Sequence, residues 1–236
     1  MIVPPRLNLA RLPTPLVPLD RLSKDLGGPR IWLKRDDLTD TAACGNKLRK
    51  LEFTVARAIE DGADVLITCG GIQSNHCRAT AIIAAQLGLR SHLILRGRPE
   101  APADGNLLLD RLVGAEVTFA GREQWDDLDG LFEQVEDRYR RAGSRPFSIP
   151  TGASDEIGLW GYIEACRELK ADFASHNIDP GYLVSAAGSG GTLGGLILGS
   201  HLYQLDTTML AFNVCDDEAW FVAKISADIA RWQSRY

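Results

Sequence analysis

The sequence predicts an α/β protein with two open, twisted parallel-sheet domains. From Ala63 onward, short segments rich in β-branched and apolar residues alternate with longer segments of helical periodicity. The strand DVLITC at 64–69, followed by a helix over 75–87, shows the pattern. The connections are short and glycine-rich, which is typical of parallel strands joined by helices that cover both faces of a sheet.

The alternation runs in two series, which predict two domains. The loop TGASDE at 151–156 lies between the series and is the expected linker. We predict a small domain over 51–150 and a large domain formed by 1–50 and 151–236.

The elements follow from local sequence signals, taken in chain order. Prolines keep residues 1–17 extended, and Gly27 and Gly28 end a short helix that precedes them. The apolar spacing of Leu48, Leu51 and Val55 predicts a helix that begins near Leu48, with Asn46 as its N-cap. The predicted strands lie at 31–34, 64–69, 92–96, 115–119, 146–150, 182–186 and 208–214. Besides the helix that begins near residue 48, the predicted helices lie at 19–26, 75–87, 106–112, 127–141, 157–173, 192–203 and 217–233.

Composition excludes several classes of protein. The 236 residues carry a formal net charge of −5 and no basic run, which argues against a dedicated nucleic-acid binder. No run of eighteen apolar residues suggests a membrane span, and the proline-broken start does not resemble a signal peptide. The five cysteines form no CxxC pair, so we expect no metal site and reduced thiols in a cytoplasmic protein.

The stretch CGNKLRKLEF at 44–53 places a lysine at a helix start. Lys47 follows Gly45 and Asn46 directly, where the positive end of the helix dipole disfavours an ammonium group. A lysine with a lowered pKa is what covalent chemistry with a carbonyl requires. An exposed lysine on the first turn is the alternative. Lys50 lies about 300° around the helix from Lys47, so we expect the covalent bond to form at Lys47 and not at Lys50.

The stretch CGGIQSNHCR at 69–78 lies where a strand ends and a helix begins. That edge is where open α/β folds bind ligands. Its polar side chains exceed what a helix cap needs and suit a ligand ring hydroxyl and a substrate carboxylate, although a simple N-cap at Ser74 or Asn75 is the alternative. The candidates are Gln73, Ser74, Asn75 and His76.

The stretch AAGSGGTLGG at 186–195 predicts a phosphate-binding loop at another strand–helix junction. Its backbone N–H groups can converge on an anion, assisted by the helix dipole. The residues concerned are Gly188, Ser189, Gly190, Gly191 and Thr192. The loop lacks the lysine of a P-loop. A loose dinucleotide fingerprint, with Asp216 or Asp217 as the ribose-binding acid, is one alternative. Glycines that serve only close helix packing are another.

An amine, a polar ring clamp and a phosphate loop together are what pyridoxal phosphate requires. The chain resembles the D-cysteine desulfhydrase and 1-aminocyclopropane-1-carboxylate deaminase family of tryptophan-synthase-β-like, fold type II pyridoxal phosphate enzymes. The matching segments cover essentially the whole chain in the family's order. They read LPTPL, WLKRDD, GNKLRKLEF, GGIQSNHCR, GNLLLDRL, IPTGAS, GLWGY and GSGGTLGGL.

The resemblance implies roles for individual residues. Lys47 resembles the lysine that holds the cofactor covalently, Asn75 the residue bonded to the ring hydroxyl, and Ser74 the residue near the substrate carboxylate and reactive carbon. The glycine-rich loop resembles the phosphate site. His76 stands where cyclopropane deaminases tend to have glutamine, which favours the desulfhydrase side.

The resemblance also implies the activity and its alternatives. We expect α,β-elimination on a small amino acid, D-cysteine giving pyruvate, hydrogen sulfide and ammonia. The alternatives are 1-aminocyclopropane-1-carboxylate deamination to 2-oxobutanoate and ammonia, or cofactor binding without activity. We expect a homodimer that binds neither nucleic acid nor membrane.

Three departures from the family pattern stand out. Cys44 replaces a glycine or serine, TGASD at 151–155 replaces GGSN, and family members continue beyond Tyr236. The large domain is therefore expected to be incomplete at its C-terminus. We also expect the helix at 217–233 to leave apolar side chains exposed, and the chain to associate or aggregate through it. These side chains are Trp220, Phe221, Val222, Ile225, Ile229 and Trp232.

Overall fold

The computed structural model describes residues 2–100 and 102–236, which alternate between strands and helices as the sequence predicts. The strands are β1 (Leu16–Pro18), β2 (Trp32–Lys34), β3 (Val65–Gly71), β4 (Arg90–Arg96), β5 (Glu116–Ala120), β6 (Pro146–Ser148), β7 (Tyr182–Ala187) and β8 (Thr208–Asn213). The helices are α1 (Asp20–Leu26), α2 (Asn46–Glu60), α3 (Asn75–Gln86), α4 (Gly105–Leu112), α5 (Arg122–Asp126), α6 (Leu128–Arg141), α7 (Trp160–His176), α8 (Gly191–Tyr203) and α9 (Glu218–Arg235).

The first parallel sheet has four strands in the order β5-β4-β3-β6. Alternate residues of a strand face opposite sides of a sheet, so its two faces carry separate apolar clusters. Leu66 of β3 packs with α2 and α3, whereas Val65 and Ile67 pack with α6 on the other side. The sheet is therefore covered on both faces, as its continuous apolar strands predict.

The second parallel sheet consists of β7 and β8. Leu183 and Met209 pack towards α7 and α8, and Ala187 and Ala211 pack towards α9. The opposite face of this sheet is uncovered by the described residues. A third, antiparallel pair joins β1 to β2 in the N-terminal region. The division into domains at 51 and 151 stays a prediction.

A buried ionic network fixes α2 against α7. Arg49 of α2 donates through Nε and Nη2 to the Asp36 carboxylate at 2.9 and 2.8 Å, and through Nη1 to Glu168 Oε1 of α7 at 2.9 Å. Gly161 allows the two helices to approach, because a Cβ there would lie 2.6 Å from the Arg49 carbonyl oxygen. The network holds the start of α2, and hence Lys47, in place.

Three local predictions differ from the structure. Helix α2 begins at Asn46, two residues before the predicted start, because Gly45 adopts a φ of 114° and occupies the N-cap position assigned to Asn46. The predicted helix 127–141 begins at Leu128 and is preceded by the separate helix α5, since Asp127 caps the longer helix by accepting from the Gly130 N–H.

The terminal helix α9 is also better covered than predicted. Phe221, Ile225 and Trp232 are buried against α7, α8 and β7, so most of its apolar stripe has a partner. Trp220 and Val222 remain exposed as predicted. The described part of the chain contains no helix that is both long and apolar enough to cross a bilayer.

Candidate functional site

A cavity of about 250 Å³ lies where the two parallel sheets present the carboxyl ends of β3 and β7. The starts of α2, α3 and α8 converge on it, so three positive helix ends face one space. Its lining residues are Asn46, Lys47, Ser74, Asn75, His76, Thr151, Gly152, Ala186, Ala187, Gly188, Ser189, Gly190, Thr192 and Leu193. All three predicted stretches therefore contribute to one site.

Lys47 is the amine of this cavity. Its Nζ donates to Asn46 Oδ1 at 3.0 Å, and Asn46 Nδ2 in turn donates to Thr192 Oγ1 at 3.1 Å. Burial lowers the pKa of Lys47, because a partly desolvated ammonium group loses hydration that no carboxylate replaces. A larger neutral fraction makes this amine a nucleophile and a proton acceptor.

Ser74 combines the two roles that were considered for it. It is the N-cap of α3, where its Oγ accepts from the Cys77 N–H at 3.2 Å, and it also lines the cavity. Gly70 makes room for it, because a Cβ at that position would lie 2.6 Å from Ser74 Oγ. Since the cap uses only the acceptor side of the hydroxyl, its proton can be donated into the cavity.

His76 is a buried, neutral imidazole. Its Nε2 lies 2.7 Å from Thr68 Oγ1, and that hydroxyl donates its only proton to the Ile149 carbonyl at 2.8 Å. Nε2 must therefore carry the proton and donate to Thr68. Burial places the pKa of His76 well below its usual value, so near neutral pH this residue offers no positive charge to a substrate carboxylate.

The structure does not bring Gln73 to the cavity. Its side-chain amide instead caps the start of α4, where Nε2 donates to Asp104 Oδ1 at 2.9 Å and Oε1 accepts from the Asn106 N–H at 2.8 Å. A role for Gln73 in substrate binding stays a prediction, and the contacts of its side chain give it a structural one.

The glycine-rich loop connects β7 to α8. Gly190 adopts a φ of 84°, a conformation that residues with a Cβ rarely take, and α8 begins at Gly191. The N–H groups of Thr192 and Leu193 belong to the first helical turn, whose donors have no partner inside the helix. These donors and the hydroxyl of Ser189 line the same end of the cavity.

Sequence reasoning missed two residues beneath this loop. Ser154 Oγ accepts from the Gly191 N–H at 3.1 Å and lies 2.8 Å from Ser189 Oγ. Lys50 Nζ donates to the same Ser154 Oγ at 3.2 Å and is 1% exposed. Burial, reinforced by the charge of Lys47, places the pKa of Lys50 well below its usual value.

Lys50 does not line the cavity as Lys47 does, but it lies close by and supports the loop through Ser154. A rotation of 300° is the same as one of −60°, so residues three apart on a helix are neighbours. The three-residue spacing of Lys47 and Lys50 was therefore the sequence signal that the two lysines lie close together. For Ser154 the signal was its place in the matched segment IPTGAS.

The residues of the cavity fit pyridoxal phosphate. The cofactor requires an amine, a phosphate site and a donor for its ring oxygen, and Lys47, the loop and Asn75 offer one each. The phosphate end exists only because of its glycines. A Cβ at Gly191 would lie 2.5 Å from Ser154 Oγ and 2.9 Å from Lys50 Nζ. A Cβ at Gly152 would lie 2.4 Å from Ser189 Oγ.

Comparison with known proteins agrees with this fit. Residues 7–222 match the family model described as pyridoxal-phosphate dependent enzyme. The bifunctional D-cysteine desulfhydrase/1-aminocyclopropane-1-carboxylate deaminase, mitochondrial, of Arabidopsis thaliana is 44% identical over 91% of this chain and 55% of its own length. The D-cysteine desulfhydrase of Salmonella paratyphi A is 40% identical over 89% of this chain and 64% of its own length.

A solved structure gives the same result for the fold. The crystal structure of an ACC deaminase homologue matches with a TM-score of 0.86 and 34% identity, and the match covers 98% of this chain and 69% of that chain. It confirms the predicted fold class, that of the tryptophan-synthase-β-like, fold type II enzymes. The chain thus spans between about half and two thirds of the two named relatives.

The dinucleotide alternative is not the one that the family match supports, because the matching model is that of pyridoxal-phosphate dependent enzymes. Asp217 is the N-cap of α9, where its carboxylate accepts from the Trp220 N–H at 2.8 Å, and the Asp216 carbonyl accepts from the Asn213 side chain. Within the described ranges, no group of three or more acidic, cysteine or histidine side chains is placed to hold a metal ion. The family match and the cavity together show that the chain belongs to the pyridoxal-phosphate dependent enzyme family.

Proposed function

We propose that this protein is a pyridoxal phosphate-dependent lyase that performs α,β-elimination on a small amino acid. The substrate we propose is D-cysteine, with pyruvate, hydrogen sulfide and ammonia as products. The observation that carries the proposal is Lys47, a partly buried amine with a lowered pKa on the wall of a cavity whose other end is a glycine-rich anion site.

Each group of the cavity has a distinct task in this proposal. Bound pyridoxal phosphate supplies an electron sink for the charge left when the substrate loses its α-proton. The N–H groups of the loop and the hydroxyl of Ser189 hold the phosphate, and Lys50 reinforces them from below. Asn75 donates to the ring oxygen.

Proton transfer falls to Lys47. A neutral amine on the cavity wall can accept the α-proton of the substrate, and Ser74 is the alternative acceptor at the start of α3. The Ser74 hydroxyl and the α3 helix dipole favour a substrate carboxylate. His76 adds a neutral polar surface on the same side, which suits a thiol-bearing side chain better than an anionic one.

A second candidate is 1-aminocyclopropane-1-carboxylate deamination, which yields 2-oxobutanoate and ammonia. The Arabidopsis relative carries both activities in its name, and the matching solved structure is titled an ACC deaminase homologue. Product analysis separates the two, because only elimination from D-cysteine releases sulfide. Cofactor binding without turnover is the third outcome and applies if neither product forms.

The proposal extends to location and assembly. We propose a cytoplasmic homodimer that acts on free amino acids. Its five cysteines are free thiols, which supports the cytoplasm. Sedimentation of the purified protein with bound cofactor tests the dimer.

Reduction of the protein with borohydride tests the site. We expect the purified chain to bind pyridoxal phosphate with a visible absorbance band, and peptide mapping after reduction to find the label on Lys47. Lys47→Ala should remove both the label and all turnover, while Lys24→Ala, at an exposed position on α1, should change neither. Label on Lys50 in the unsubstituted protein would overturn the assignment of Lys47.

A further inference from the structure

We propose that Arg78 is a positioning residue that fixes the orientation of the Asn75 amide, so that Asn75 presents N–H donors to the cavity. The inference deepens the proposed function and rests on it. The relevant contacts lie between the second turn of α3, the start of α4 and the segment that precedes Lys47.

Arg78 contacts three oxygens at once. Its Nη1 donates to Asn106 Oδ1 at 2.9 Å and to Asn75 Oδ1 at 3.2 Å, and its Nη2 donates to the Cys44 carbonyl at 2.7 Å. A guanidinium group has donors only. The side-chain atoms of Asn75 and Asn106 that face Arg78 must therefore be oxygens, because an NH₂ group there would place two donors against each other.

Asn106 fixes the same orientation a second time. Because its Oδ1 faces Arg78, its Nδ2 is free to donate, and it does so to Asn75 Oδ1 at 2.9 Å and to the Gln73 carbonyl at 2.8 Å. Asn75 Oδ1 thus accepts from two residues. Among the residues that the structure describes, Asn75 Nδ2 has no acceptor, although the side chain lines the cavity.

The orientation decides what the cavity can bind. An amide can present either a donor or an acceptor, and the two are nearly equal in shape. A ring oxygen with negative character is stabilised by the N–H group and repelled by the carbonyl oxygen. Fixing the amide before the ligand arrives avoids the loss of affinity that a freely rotating side chain would bring.

The same guanidinium also contacts the segment before Lys47. Through its bond to the Cys44 carbonyl, Arg78 links the segment before Lys47 to the start of α3, which carries Asn75. Arg78 does not itself line the cavity. Its effect on the cofactor must therefore pass through Asn75 or through the segment that ends at Lys47.

A double-mutant cycle on the full chain separates these routes. The four proteins are the unsubstituted chain, Arg78→Met, Asn75→Ala and the combination, and the readouts are the dissociation constant of pyridoxal phosphate and the unfolding midpoint of the cofactor-free protein. We expect each single substitution to weaken cofactor binding about tenfold, the loss expected for one hydrogen bond to a charged group. In the Asn75→Ala background, Arg78→Met should add less than about twofold.

Asn75→Asp tests the orientation directly. If Oδ1 faces Arg78, the carboxylate keeps that contact and the cofactor-free protein stays as stable as before. The cavity then receives an oxygen in place of a donor, and cofactor affinity falls by more than about tenfold. Arg111→Met, at an exposed position on α4, is the control and should change neither readout.

Two results would overturn the inference. One is an equal loss of affinity from Arg78→Met with and without Asn75, which would mean that Arg78 acts independently of that amide. The other is an Asn75→Asp protein that binds the cofactor as well as the unsubstituted chain does. In either case label on Lys47 after reduction would leave the proposed function intact, whereas absence of that label would end both.

Discussion

At the scale of single residues, a neighbouring carboxylate decides whether the pKa of a buried basic group is raised or lowered. Arg49 is buried among carboxylates, and those of Asp36 and Glu168 raise its pKa, so it stays charged. Lys47 and Lys50 are buried without a carboxylate in contact, and the pKa of each is lowered. Arg49 therefore keeps the charge that holds α2 in place, whereas Lys47 and Lys50 more readily become neutral, as the proposed function of Lys47 requires.

Asp110 of α4 is a buried carboxylate without a partner. It is 0% exposed, and neither oxygen has a hydrogen-bond donor among the residues that are described. Burial raises its pKa to about 7. The folded state therefore holds a proton that the unfolded state releases above about pH 4, so this group lowers stability as pH rises from about 4 to 7.

Asp110→Asn should remove this pH dependence. We expect the free energy of unfolding to rise by about 1–3 kcal/mol at pH 8, where the carboxyl must ionise in the interior and an amide need not, and by much less at pH 5, where both are neutral. Urea denaturation at both pH values measures the difference. Asp126→Asn, at an exposed position on α5, is the matched control. An equal gain at pH 5 and pH 8 would show that ionisation of Asp110 is not the cause.

At the scale of elements, the glycines of α8 serve two purposes that the sequence presented as alternatives. Those of the later turns allow contact with α7, since a Cβ at Gly199 would lie 2.7 Å from Cys166 Sγ and one at Gly195 would lie 2.5 Å from the Leu159 carbonyl oxygen. Gly190 lines the end of the cavity that we propose to bind phosphate, and Gly191 begins the helix there. Under that proposal, close packing and ligand binding both depend on the glycines of one helix.

Gly191→Ala should separate loop geometry from helix packing. The new Cβ would displace Ser154 Oγ and Lys50 Nζ, which support the loop. We expect a loss of about 1–3 kcal/mol in stability from overpacking, and weaker binding of pyridoxal phosphate. Thermal unfolding without cofactor and a cofactor titration measure the two effects. Gly181→Ala, where the new Cβ has open space, should preserve both values. Unchanged cofactor affinity in Gly191→Ala would exclude the loop as the phosphate site.

At the scale of the whole molecule, the sequence predicts what depends on order along the chain. Helix starts locate the three stretches, and two of them follow the ends of parallel strands, so Lys47, Ser74 and the glycine loop line one cavity. Contacts between distant segments are not visible in this way. The bond from Lys50 to Ser154 and the bonds from Arg78 depend on how helices approach each other, which no local pattern specifies.

The same limit explains why the sequence overestimates the exposed apolar surface of the terminal helix α9. Its apolar stripe predicted an exposed surface, yet the stripe packs on α7 and α8. The large exposed apolar surface lies instead on the outer face of β7 and β8. Periodicity shows that a surface is apolar, but only the fold shows whether a partner covers it.

This outer face predicts how the 236-residue chain behaves when expressed alone. Val184 is 58% exposed and Phe212 is 68% exposed, and both belong to a parallel sheet, an arrangement that is ordinarily covered on both faces. Contiguous apolar patches of this kind promote association. We expect the chain to bind a hydrophobic dye and, in sedimentation velocity, to form larger species in addition to the proposed dimer.

Replacing both residues tests the cause. Val184→Thr combined with Phe212→Thr places a residue with high strand propensity at both positions while removing apolar surface, so it should reduce dye binding and the larger species. Neither residue lines the cavity, and cofactor affinity should stay within about twofold. Leu112→Thr, at another exposed apolar position, on α4, controls for a general change in surface hydrophobicity. A monodisperse protein that binds no dye before substitution would show that the exposed face of β7 and β8 does not drive association.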